Sequence, residues 1–155
     1  MNDKEQQLIR NIEAAFPRDA AVRLGLDKLC INPNDEEAVE EISIFAGKVW
    51  WEISASDWRQ HWSAIAFLSD IGIHAFIPSL IVDSICNFDD CNLAVDGLIF
   101  ELTGRPDLDL RQRLGLLTQV QIDCVDEWFS WIALKHADSF PNVNDAIARL
   151  PTVRK

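Results

Sequence analysis

Hydrophobic residues recur along this chain at steps of three and four, the period of a helix with one buried face. Leu8, Ile12, Ala15 and Phe16 set the first stripe. Pro17, with no N–H to donate, ends it. Residues 17–33 are less regular, and Val22, Leu24, Leu26, Leu29 and Ile31 predict a short helix or a loop laid on the core. Asn32-Pro33-Asn34-Asp35 then punctuates the chain. Asn34 with Glu37 three residues on has capping-box spacing, and Asp35, Glu36 and Glu37 suit the positive end of a helix dipole. Val39, Ile42 and Phe45 or Ala46 form that helix's buried stripe, and Gly47 stops it.

Val49-Trp50-Trp51-Glu52-Ile53 predicts a brief extended segment. Ser54 or Ser56 caps a helix with Trp58, Trp62, Ile65 and Ala66 on one face. Ser69 and Asp70 begin another, with Ile73, Phe76 and Ile77 inward. Pro78 is expected to break or kink it, and Leu80, Ile81, Val82, Ile85 and Phe88 continue as a helix apolar nearly all round, the mark of a central position. Residues 92–103 read as helix through Leu93, Leu98, Ile99 and Leu102, and Gly104-Arg105-Pro106-Asp107 as a turn. Arg105, Arg111 and Arg113 read as a cationic surface cluster. Thr118 with Gln121 caps the clearest helix. Val120, Cys124, Trp128, Trp131 and Ile132 face inward there, and Asp123, Asp126, Glu127 and Ser130 outward. A last helical turn spans Asn144 to Leu150, and the residues from Thr152 on fray. The pattern predicts one all-α domain over residues 1–155, built from six or seven helices.

Composition narrows the function classes. With 14 Lys+Arg against 25 Asp+Glu, the net charge is −11. That excludes a general nucleic-acid binder, which needs cations to displace phosphate counterions, and opposes docking on anionic lipid. No apolar run approaches the roughly 18 residues of a membrane-spanning helix. Met1–Gln7 is polar and predicts no secretory signal, so a cytoplasmic location is expected. Cys30, Cys86, Cys91 and Cys124 contain no C-x-x-C pair. Cys86 and Cys124, among apolar neighbours, are expected to be buried, and Cys91, after two aspartates, exposed.

Charge placement is less ordinary. From Gln60 to Gly104 there is no Lys or Arg, while Asp70, Asp83, Asp89, Asp90, Asp96 and Glu101 all fall there. From Leu29 to Gly47 there is again no cation, against Asp35, Glu36, Glu37, Glu40 and Glu41. These two segments hold as many carboxylates as the whole net charge. Such a face either keeps the protein dissolved or steers it onto a basic partner. Six tryptophans add a second signal. Trp58/Trp62 and Trp128/Trp131 share helix faces and read as packing plates or as the walls of a groove. Trp50 and Trp51 are adjacent, so one of the two is expected at the surface as a binding anchor.

Catalytic motifs are missing. His61, His74 and His136 fit no two-ligand spacing, and the aspartates around Asp96-Gly97 fail the calcium-loop pattern. Neither a phosphate-binding glycine loop nor a nucleophile elbow occurs. No cofactor, metal or catalytic residue is therefore assigned.

Five segments carry a resemblance: Val49–Ile53, Ala66–Ser69, Ala75–Leu80, Leu117–Gln121 and Trp128–Leu134. Their order over roughly residues 35–135 resembles a family of small bacterial proteins of unknown function. The chain departs from that pattern at His74 and Phe76-Ile77, where an aromatic pair is more usual, and at Val120, where an acidic residue is common. The resemblance implies a bacterial cytoplasmic protein and transfers no activity.

The expectation is a non-enzymatic binding protein that pairs with a basic protein such as a toxin domain, in the manner of immunity proteins and inhibitors. Glu36, Glu37, Glu40, Glu41, Asp83, Asp89, Asp90, Asp96, Trp50 and Trp51 are its candidate contacts. Two alternatives stand beside it: a small-molecule or peptide binder with a tryptophan-lined groove, and an enzyme using His61 or His74 with a nearby aspartate.

Overall fold

Side chains close several of the helix ends. Asn2 and Glu5 form a reciprocal cap, as do Thr118 and Gln121, and the Ser69 hydroxyl accepts from Gly72 N–H. The computed structural model describes residues 1–104 and 110–153. Ten α-helices follow: α1 (Asp3–Ala15), α2 (Leu26–Leu29), α3 (Glu36–Ile42), α4 (Ala55–Gln60), α5 (Ala64–Phe67), α6 (Asp70–Cys86), α7 (Phe88–Thr103), α8 (Arg111–Leu114), α9 (Gln119–Lys135) and α10 (Val143–Arg149). Tight 3-10 turns lie at Arg18–Ala20, Ser43–Phe45, Trp50–Glu52 and Leu150–Val153. The protein is all-helical among the described residues, apart from one antiparallel bridge between Cys30 and Leu68.

α6 is the axis. Its buried residues cover nearly every direction, and it touches α1, α2, α4, α7 and α8. α7 packs on α4, α5 and α10, and α9 on α1 and α10. Buried apolar side chains from Leu8 to Val153 join in one cluster.

Several expectations are corrected. The cap of α3 is Asp35 rather than Asn34; its carboxylate accepts from the N–H groups of Glu37 and Ala38. Trp50–Glu52 is a 3-10 turn and not an extended segment, because the Glu52 carboxylate accepts from Val49 N–H at 3.2 Å and closes it. α6 runs unbroken through Pro78 and stops at Cys86, so Phe88 opens α7 instead of ending α6. That shift of the helix boundary reverses the cysteines. Asp89 sits outward while Cys91 turns fully into the core, and Cys86 is exposed. Burial, with Asp83 and Asp90 nearby, pushes the Cys91 thiol up to about 12. α4 ends at Gln60, so Trp62 leaves the Trp58 face and stands out in solvent.

The arginine cluster is corrected too. Arg105 lies outside the described residues. Arg111 is exposed, but Arg113 is buried. It donates to the Leu68 and Ile65 carbonyls at 2.7 and 2.8 Å, and its Nε lies 3.6 Å from the buried Glu101 carboxylate. The last carbonyls of a short helix have no partner of their own, and a planar guanidinium satisfies two at once.

Candidate functional site

Five of the proposed contacts form an open, unpaired acidic set. Glu36, Glu37 and Glu40 are exposed on α3, and Asp89 and Asp96 on α7. None of these five has a Lys or Arg within 4 Å among the described residues. On α7 the solvent-facing stripe is Asp89, Asn92, Leu93, Asp96 and Phe100, at steps of three and four, so two apolar side chains lie among carboxylates.

The joint between α4 and α5 links the two helices. His61 caps the end of α4, and its Nδ1 lies 3.8 Å from the Glu41 carboxylate of α3. The next residue, Trp62, is 50% exposed. Its carbonyl oxygen sits beside Gly97 of α7, where an added Cβ would come within 3.8 Å. The joint that carries Trp62 therefore touches α3 through His61 and α7 at Gly97. Sequence reasoning missed it as an anchor because it placed Trp62 on the buried face of a longer helix.

The other candidates have different surroundings. Asp83 is half-buried and receives the Ser79 hydroxyl at 3.0 Å, while that oxygen accepts from the Trp58 indole at 3.0 Å. Burial raises the Asp83 carboxyl to about 6, against the Ser79 hydrogen bond, with Asp57 adding a smaller push upward. Asp90 pairs with Arg59 at 3.4 Å. Glu41 is half-buried against His61. Each of these three faces another side chain of the protein itself.

Trp50 and Trp51 lie elsewhere. Trp50 is buried and Trp51 half-buried, their rings 5.6 Å apart and perpendicular. The Arg18 guanidinium lies 5.0 Å from the Trp51 ring centre and 5.7 Å from that of Trp50. Of the expected plates, Trp58/Trp62 separates, with Trp58 in the core and Trp62 open, while Trp128 and Trp131 both pack into the core. Among the described residues neither histidine of the enzymatic alternative pairs with an aspartate. His74 lies against Phe16 with ring centres 6.1 Å apart, and His61 faces a glutamate. Among the described residues no group of three His, Cys, Asp or Glu side chains could hold a metal ion, and no helix is long and apolar enough to cross a membrane.

The fold and this face define an all-helical acidic protein whose exposed aromatic and aliphatic side chains stand among unpaired carboxylates. The chain belongs to a family of unknown function, DUF6714, whose profile matches residues 4–146. No curated protein and no solved structure matches it. The match extends past residues 35–135 at both ends, taking in α1 and most of α10. The segments that suggested a family have packing roles. Leu68 bridges Cys30, Ser69 and Thr118 cap α6 and α9, and the Gln121 amide reaches the Ala15 carbonyl at 2.9 Å.

Proposed function

We propose that this protein is a non-enzymatic binding module that docks a basic protein partner on the face formed by α3, the Trp62 joint and the outer stripe of α7. The reading rests on one observation: the exposed Glu36, Glu37, Glu40, Asp89 and Asp96 have no cation within 4 Å among the described residues, and half-exposed Trp62 lies in the joint that touches both of their helices. An exposed tryptophan supplies an anchor that loses much apolar surface on contact, and a carboxylate rim selects a cationic surface and speeds encounter. An immunity- or inhibitor-like role, capping the cationic active site of a bacterial toxin, fits this chemistry. The free cysteines are consistent with action in a reducing bacterial cytoplasm.

The test is affinity capture on the full chain from source-cell lysate at about 0.05 M and about 0.5 M NaCl. Three proteins are compared: the wild type, W62A, and a charge reversal of Glu36, Glu37 and Glu40 to lysine. A basic protein held by the wild type at low salt, released at high salt and lost by both variants supports the reading. W62A should weaken it by about 2 kcal/mol, roughly thirtyfold. A blank, or capture indifferent to both variants, removes it.

A further inference from the structure

A cavity of about 310 Å³, which none of the acidic-face residues lines, lies between α6 and the strap that follows α1. Ala20, Ala21 and Leu24 of the strap form one wall, and Ile71 and Ala75 of α6 another. The strap is fastened at two points. Arg23 makes a two-pronged pair with Glu52 at 2.6 and 2.8 Å and also donates to the Gly47 carbonyl, and Arg18 sits over Trp50 and Trp51. The space is thus held open by fixed elements. An α-helix is about 10 Å across with its side chains, so no helical peptide enters it. At about 30 Å³ per water-sized group, it has room for roughly ten non-hydrogen atoms.

Its polar groups are few and of one kind. The chain has 25 Asp+Glu, yet none lines the cavity. Lys48 does, half-buried and with no carboxylate within 4 Å among the described residues. His74 also lines it; burial lowers its pKa, the neighbouring Gln121 amide opposing this less, so it adds no charge at neutral pH. Gln121 is already engaged with Thr118 N–H and the Ala15 carbonyl. Trp50 also lines the cavity, but its indole Nε1 is sealed inside the protein, out of reach of a molecule in the cavity. Lys48 is therefore the one fixed charge that the lining offers.

We propose that this cavity binds a small apolar carboxylic acid, its hydrocarbon body between the strap and α6 and its carboxylate held by the Lys48 ammonium, with the Trp50 ring beside it. The site is independent of the acidic face. The experiment titrates the full chain with octanoate and with 3-phenylpropanoate, and with octylamine and octanol as controls. The readout is the Trp50 indole N–H resonance, assigned by its loss in Trp50→Phe. Both carboxylates should move that resonance and saturate, octanol should bind more weakly, and octylamine should leave it unmoved. Lys48→Gln, near the rim, should raise the carboxylate Kd roughly tenfold. Ala75→Phe, which fills the space, should abolish binding. The reversal of Glu36, Glu37 and Glu40 should change nothing here, which separates this site from the docking face. If neither carboxylate moves the resonance, if octylamine binds equally, or if Lys48→Gln leaves affinity unchanged, the proposal is wrong.

Discussion

Arg113 donates to two carbonyls and faces the buried Glu101, so truncating it strands several acceptors together. Arg113→Ala should destabilise the protein by about 3–5 kcal/mol, read as a lower urea midpoint with an unchanged slope. Asp83 acts in the opposite sense. Its carboxyl titrates near 6 in the folded protein, above its ordinary 3.8, so the folded state binds more protons across that window. Stability therefore falls as pH rises from about 4 to about 6, and the penalty stays in place above it. Asp83→Asn removes the charge and keeps an acceptor for Ser79. Thermal unfolding of this variant at pH 7.5 should shift upward by roughly 2–4 °C, since partial hydration limits the gain to about 1 kcal/mol, and the slope between pH 4 and 6 should flatten. Charge alone marks neither residue as interior. Burial of Arg113 follows from the open end of α5, a feature set by where that helix stops.

At the element scale, Glu5 ties α1 to α9. Its carboxylate closes the Asn2 cap and also receives Lys135 and the Trp131 indole N–H, both from α9. Lys135 first, then the Asn2 backbone, lowers its pKa from 4.5 to about 2. The stability it contributes is fully present above about 4.5 and is lost as pH falls through about 2. Glu5→Gln should lower stability at pH 7 by about 1–2 kcal/mol, and the gap to the wild type should narrow in urea melts between pH 4.5 and 2. The α1 stripe, the α9 stripe from Cys124 onward and the Thr118–Gln121 cap were legible in the sequence, because capping and helical period are local; Val120, expected inward, is exposed in the first turn of α9. The α4–α5 joint was not. Nothing local in Gln60-His61-Trp62 forbids helix, and Trp62 faces water only because α4 stops where Ala64 and Ile65 must turn onto α7 and α3.

For the whole molecule, −11 of net charge repels itself, and the outward carboxylates of α3 and α7 lack cations to offset it. Raising NaCl from about 0.02 M to about 0.5 M shortens the screening length several-fold. The melting temperature should rise by a few degrees, by calorimetry at pH 7.5; the reversal of Glu36, Glu37 and Glu40 should show a smaller rise. The same salt should release a basic partner from the acidic face.

The sequence by itself determined the helical class, the period and capping of the long helices, the acidic balance and the two cation-free stretches. Each of these depends on residues a turn apart or on composition. Tertiary structure decided which members of those stretches are open. It drew Asp83 inward beneath Ser79, paired Asp90 with Arg59 across 31 positions, and left Trp62, rather than Trp50 or Trp51, open to solvent. It also brought a strap from residues 17–25 over α6 and the Trp50 turn to leave an apolar cavity. Periodicity names a helix's buried face, but the neighbours that bury it, and the gaps between them, come only from how distant segments pack.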